Sequence, residues 1–222
     1  INYDGLATTA GSFALKNNIS KNAFVVDKLK ENGALILGKT NLSEWAYYFC
    51  NNCPSGYSAL GGQTLNPYGR KIFDSGGSSS GSGVAISANF STVSLGSETS
   101  GSILSPSSAN SIVGLKPTIG LVSRSGIVPI SSALDTSGPM TKNVIDNAIV
   151  LKAISGFDQN DSMSVDNVDI DLESIVKSSL KGKRFGVFNE FLNDSLYLNA
   201  VNKIEKLGGI IIKFNPPQVD FN

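Results

Sequence analysis

Apolar positions along this chain switch between helical and strand spacing. In residues 23–32 (AFVVDKLKEN), Val25 and Val26 stand four and three positions before Leu29, and Gly33 follows. That spacing predicts a short helix stopped by a glycine. Residues 34–37 (ALIL) form a continuous apolar run short enough to be a buried strand. Residues 82–89 predict a helix of small residues, and 92–96 a strand. Residues 143–155 carry Val144, Ile145, Ala148, Ile149 and Ile154 at helical spacing, ended by Gly156. A polar stretch from Asp158 to about Asp171 reads as a surface connection. Beyond it, RFGVF (184–188) and IIIKF (210–214) predict two strands. Between them Tyr197, Ala200, Val201, Ile204 and Leu207 mark one helix face, stopped by Gly208 and Gly209. Alternation of this kind predicts an α/β fold, a mixed β-sheet between helical layers. No internal repeat interrupts it.

With 222 residues, 41% hydrophobic and 16% charged, the chain can bury a real core. It is read as one domain, with a core from about residue 6 to 157, the polar connection, and the strand–helix–strand of 184–214. Eighteen basic residues balance eighteen acidic ones, so no basic stripe points to nucleic acid or an anionic membrane surface. No apolar run approaches the roughly 20 residues that span a bilayer. The chain starts at Ile1 and stops after Asn222, and is read as a piece of a longer protein truncated at both ends. A cytoplasmic location is then only the default, and the oligomeric state stays open. Cys50 and Cys53 form a lone CxxC, two ligands where structural zinc takes four. They are read as ordinary loop cysteines, ahead of a disulfide or a metal site, and no metal or cofactor is expected.

Candidate chemistry concentrates between Gly76 and Ser102, where 16 of 27 residues are Gly or Ser. Val84, Ala85, Ile86, Val93 and Leu95 interrupt the block, so it belongs to a buried structure and not to a flexible linker. Buried Gly/Ser backbone allows close approach and aims N–H groups at one place, as an oxyanion cradle requires. The chain has no histidine, so a serine nucleophile here needs another base. Two shorter matches fail on physical grounds. Gly33 to Thr40 fits the phosphate-loop spacing G-x4-G-K-[ST], but its middle residues Ala-Leu-Ile-Leu suit a strand and not an anion-wrapping turn. Gly77-Ser-Ser79-Ser-Gly81 fits a nucleophile elbow with Ser79 at its apex, but no histidine follows to complete it.

Taken whole, the motifs are more specific. GGSSSGSG (76–83), Ser102 within GSETSGSILSPS, and GLKPT (114–118) resemble the amidase signature family. LATTAGSFAL and GALILGKTNLSEWA upstream agree, as does GLVSRSGIVPISSALDTSGPM downstream; GYSALGGQTLNPYG (56–69) is similar to bacterial peptide amidases. The resemblance implies hydrolysis of a small-molecule or peptide carboxamide through a Ser–cis-Ser–Lys triad. Ser102 would be the nucleophile and Ser78 the bridging serine. The main-chain N–H groups of Thr99, Ser100, Gly101 and Ser102 would form the oxyanion hole. The lysine would lie about three positions before Ile1, so the chain alone is expected to be inactive. Lys39 and Lys116 align with structural positions. Where the family shows Asp-x-Gly-Gly-Ser-Ile-Arg, this chain has Glu98 and Leu104, and loss of that arginine argues against close kinship with glutamine amidotransferases. Loops around 46–63, with Trp45, Tyr47, Tyr48, Phe49 and Tyr57, are expected either to set specificity or to be core. A catalytically silent member of the family, kept as a scaffold or binding subunit, is the alternative reading.

Overall fold

The first predicted helix is the chain's first packing anchor. In the computed structural model, which describes residues 1–166 and 169–216, α1 spans Phe24–Glu31 and buries Val25, Val26 and Leu29. Gly33 ends it with φ +82°, donating to Lys30, while Ala34 donates to Leu29. These backbone bonds satisfy carbonyls that the helix end would otherwise leave open. The chain divides into two compact units, Ile1–Leu172 and Glu173–Asn222.

In the first unit a short hairpin, β1 (Tyr57–Ser58) and β2 (Gly62–Gln63), precedes α2 (Ser80–Ser87). Then follow β3 (Val93–Glu98), α3 (Leu104–Ala109), β4 (Val113–Gly114), β5 (Thr136–Thr141) and α4 (Val144–Ile154). β5 is central in an antiparallel sheet of order β3-β5-β4, with Val93 opposite Thr141 and Glu98 opposite Thr136. The apolar core gathers Ala23, Val25, Val26 and Leu29 with Val122, Val150 and Ile154. α2 lies close to its neighbours because it is made of small residues. A methyl on Gly81 would come within 2.4 Å of the Asn41 carbonyl, and one on Gly83 within 3.0 Å of the Pro106 carbonyl.

Two expectations need correction here, and the helix predicted over 143–155 forms but leaves several of its apolar positions exposed. Residues 34–37 are not a strand. Ala34 and Ile36 pack on the core, but Leu35 and Leu37 are 88% and 77% exposed, and the run pairs with no strand among the described residues. In α4 the buried positions are Asn147, Ala148, Val150 and Ile154, whereas Val144, Ile145 and Ile149 are exposed. The helix meets the sheet through Asn147, whose amide donates to the Val113 and Pro139 carbonyls. The stretch after Asp158 is not simply surface, because Asp158 and Asp161 are buried. Ser123 donates to Asp158 at 2.6 Å. Arg124 grips Asp161 through Nε, Nη2 and its backbone N–H. That contact holds the Asp161 carboxyl down at about 2. Burial pushes the Asp158 carboxyl up, but hydrogen bonds from Ser123, Ser125 and Asn160 outweigh it and leave it below its ordinary value.

The second unit follows the predicted pattern. β6 (Arg184–Phe188) and β7 (Ile210–Phe214) pair in parallel, Arg184 opposite Ile210, and a helix lies between them in the chain. A short helix, α5 (Leu172–Val176), precedes β6, and the connecting helix α6 spans Ser195–Lys206. Asp194 caps α6 by accepting from the Tyr197 N–H at 2.8 Å. Phe188 stacks near Phe191 and Phe214. No helix among the described residues is long and apolar enough to cross a membrane.

Candidate active site

Two segments of the Gly/Ser block meet at the N-terminal ends of α2 and α3. The Ser79 N–H donates to the Ser102 carbonyl at 3.1 Å, tying the loop before α2 to the loop before α3. On its other side the Ser78 segment is held by residues 41–43. The Ser43 N–H donates to the Ser78 carbonyl at 3.1 Å, and the Gly81 N–H to the Asn41 carbonyl at 3.0 Å. Ser43 is itself fixed, fully buried and accepting the Gly56 N–H at 2.8 Å. The Gly77–Ser78 peptide bond is cis.

The serines of this block divide by what their hydroxyls do. Ser75 donates to main-chain carbonyls. Ser79 donates to the Ser97 carbonyl and accepts the Ser97 N–H, both at 3.2 Å, which stitches α2 to β3. Ser80 donates to the Gly76 carbonyl, and Ser82 to the Leu95 carbonyl at 2.8 Å. The hydroxyls of Ser78 and Ser102 enter no hydrogen bond among the described residues, and neither do those of Ser87, Ser91, Ser97 and Ser100, Ser87's being buried. Ser79, the elbow candidate, is thus engaged in structure.

The loop carrying Ser102 is organised by Glu98, the last residue of β3. Glu98 is 4% exposed, and its carboxylate accepts three main-chain N–H groups. They are those of Gly101 at 2.8 Å, Ile103 at 2.6 Å and Leu104 at 2.9 Å. One of the four expected oxyanion donors, Gly101, is therefore already committed to Glu98. The N–H groups of Ser100 and Ser102 have no acceptor among the described residues. The Thr99 hydroxyl donates to Asp135, whose other oxygen accepts the Ile130 and Ser131 N–H groups at 2.7 and 2.9 Å. Asp135 also lines a cavity of about 290 Å³ with Arg124, Ile127 and Asp161. Neither Glu98 nor Asp135 stood out in the sequence as organisers of main-chain donors. The one available signal was that Glu98 keeps the acidic position four residues before Ser102.

The remaining candidates fall outside the serine pair. Lys39 donates to the Ala7 carbonyl at 3.0 Å and the Thr8 hydroxyl at 2.6 Å, pinning the TTAG segment, and burial lowers its pKa. Cys50 and Cys53 are joined in a disulfide, correcting their reading as unpaired loop cysteines. Tyr48 and Phe49 are exposed, whereas the Tyr47 hydroxyl is buried against Gly77. Among the described residues no cluster of three or more His, Cys, Asp or Glu is arranged to hold a metal.

A family model for amidases matches residues 1–222. A probable amidase of Arabidopsis thaliana is 45% identical over 215 residues, covering 94% of this chain and 41% of that protein. One of the glutamyl-tRNA(Gln) amidotransferase subunits of Thermoanaerobacter pseudethanolicus is 41% identical over 229 residues, covering 100% and 46%. Among solved structures, native peptide amidase from Stenotrophomonas maltophilia superposes with a TM-score of 0.92 at 43% identity, covering 98% of this chain and 46% of that one. The chain thus spans less than half the length of these relatives. Identity to the amidotransferase subunit, 41%, is close to the 45% to the probable amidase. Matched along its whole length by the family model and at more than 40% identity by these relatives, the chain belongs to the amidase family.

Proposed function

We propose that the protein of which this chain is part hydrolyses a carboxamide through an acyl-enzyme on Ser102, with Ser78 as the proton relay. The observation that carries the reading is the meeting of Ser78 and Ser102, whose hydroxyls are both uncommitted, on segments joined by the Ser79 N–H to Ser102 carbonyl hydrogen bond, while the neighbouring Ser75, Ser79, Ser80 and Ser82 hydroxyls are bound into the scaffold. A nucleophile and its relay need uncommitted hydroxyls on a fixed frame. The base would be the lysine that the family resemblance puts upstream of Ile1, neutral because burial disfavours its ammonium form. It takes the Ser78 proton as Ser78 takes that of Ser102. The Ser102 oxygen adds to the amide carbon, and the oxyanion is held by the Ser100 and Ser102 N–H groups, with Thr99 beside them. When the carbon–nitrogen bond breaks, the proton returns through Ser78 to the departing ammonia or amine. Water then adds to the ester and the same relay restores Ser102, leaving the carboxylate. A lysine base requires activity to rise toward alkaline pH, and without that lysine the 222-residue chain should be inactive.

The test is labelling of the full-length protein with a fluorophosphonate probe, alongside ammonia release from simple amides. Ser102→Ala should abolish labelling, and Ser78→Ala should slow it while the fold persists. Labelling that survives Ser102→Ala, or that falls on Ser79, overturns the assignment. A folded full-length protein that neither labels nor releases ammonia would be the silent scaffold.

A further inference from the structure

Ser100 stands between two clamped neighbours in the loop that carries Ser102. After it, Glu98 reaches forward to take the N–H groups of Gly101, Ile103 and Leu104. Before it, the Thr99 hydroxyl donates to Asp135 Oδ1. Sheet register makes this meeting possible: Glu98 pairs with Thr136, so Thr99 and Asp135 are the next residues out from β3 and β5. Asp135 is itself fixed. Its Oδ2 accepts the Ile130 and Ser131 N–H groups, and its own N–H donates back to the Ser131 carbonyl at 3.0 Å. Arg124 braces the same turn, donating from Nη1 to the Ser132 carbonyl and attracting the Asp135 carboxylate. An O–H held by a carboxylate is among the stronger hydrogen bonds. Threonine is branched at Cβ, so fixing its oxygen fixes χ1 and restrains the backbone beneath it. The next peptide along that backbone carries the Ser100 N–H, which no described group accepts. A bare anion here would repel a developing oxyanion. Asp135 is instead covered by Arg124 and its N–H donors, and what it offers is a fixed point.

Resting on the assignment of Ser102 above, we infer that Asp135 is a positioning residue for the hydrolysis: acting through the Thr99 hydroxyl, it sets the Thr99–Ser100 peptide so that the Ser100 N–H meets the oxyanion. Asp135 touches no reacting atom. The ground-state amide has a neutral carbonyl and gains little from a well-aimed donor, whereas the tetrahedral intermediate carries negative charge on that oxygen. Loosening the peptide therefore slows turnover and leaves substrate binding nearly unchanged. Because the effect runs through one hydroxyl, breaking the link from either end removes the same interaction, and the two losses do not add.

The experiment uses the full-length protein, with kcat and KM measured on a primary amide and Ki on the matching trifluoromethyl ketone, which adds to Ser102 as an oxyanion. Thr99→Val removes the hydroxyl at constant shape and should lower kcat about tenfold, as expected for one lost hydrogen bond to a charged group. KM should stay within about twofold, and Ki should rise by the factor that kcat/KM falls. Thr99→Ser, which keeps the hydroxyl, should regain most of the rate. Asp135→Asn can keep an oxygen on the Ile130 and Ser131 N–H groups, so the turn survives; with charge assistance gone it should lower kcat about fivefold. Added to Thr99→Val, it should change kcat by less than about twofold. Wild-type kcat in Thr99→Val or in Asp135→Asn, a loss confined to KM, no recovery in Thr99→Ser, or fully additive losses would overturn the inference. Failure of the wild-type protein to label at Ser102 would overturn the underlying assignment and this inference with it. Normal labelling with additive or absent losses would overturn the role of Asp135 alone.

Discussion

Glu98→Gln is the substitution that weighs most on the Ser102 loop, and its cost follows from the hydrogen bonds the carboxylate makes. Oε1 accepts from Gly101 while Oε2 accepts from both Ile103 and Leu104, in a site 4% exposed. Glutamine has nearly the same shape but one oxygen and one NH₂. Placed with its oxygen toward Ile103 and Leu104, it turns a donor against the Gly101 N–H. The two retained bonds lose their charge assistance, about 1 kcal/mol each, and the broken one leaves a buried N–H unpaired at about 1–3 kcal/mol. The sum is about 3–5 kcal/mol, either lost from stability or relieved by a shift of the loop. A shift of that loop moves Ser102 and its neighbouring N–H groups, and loss of one oxyanion donor typically costs about 10²–10³ in rate. We expect Glu98→Gln in the full-length protein to lower kcat at least about 10²-fold, with a fall in melting temperature when the loop does not relax. Paired measurements of amide turnover and thermal unfolding would read both. A Glu98→Gln protein with wild-type turnover and wild-type melting would refute the claim that Glu98 organises the site.

Asp161→Asn should cost stability that depends on pH. The folded carboxyl sits at about 2 against an ordinary 3.8, so it contributes up to roughly 2.5 kcal/mol, present above about pH 4 and lost as pH falls through 2. Urea unfolding of both proteins should show a gap at pH 7 that narrows below pH 4; a gap independent of pH would refute the Arg124–Asp161 assignment. Gly77→Ala should abolish activity, because its methyl meets Tyr47 Oη at 2.0 Å and Ser43 Oγ at 2.6 Å. Adding Tyr47→Phe should recover part of the lost stability in a thermal melt, and no recovery would mean that the clash lies elsewhere. Ile154→Ala, at a fully buried core position, should destabilise by about 2–5 kcal/mol in chemical denaturation; a change below about 1 kcal/mol would show that the core has been misplaced.

Periodicity in the chain was enough to locate α1, α4 and α6 and the pair β6 and β7. Each of these segments has apolar spacing of its own and a glycine or polar cap at its end. The serines of the candidate site were legible for another reason: the Gly/Ser block is contiguous, and its order matches a known family. What the sequence could not display were elements whose burial is supplied by their neighbours. β5 reads Thr-Ser-Gly-Pro-Met-Thr, with no apolar alternation, yet every residue is buried because β3 and β4 flank it and α4 packs on it. Residues 34–37 err in the other direction, strongly apolar but without a described strand to pair with. Asp158 and Asp161 looked like surface until Ser123 and Arg124, more than 30 residues earlier, folded against them. The Gly/Ser block and the order of its motifs were enough to make its serines the candidates for a nucleophile. Which serine hydroxyls are free, and that Glu98 takes the Gly101 N–H, was decided by tertiary structure, because a hydrogen bond depends on what stands opposite a group and not on the residues beside it in the chain.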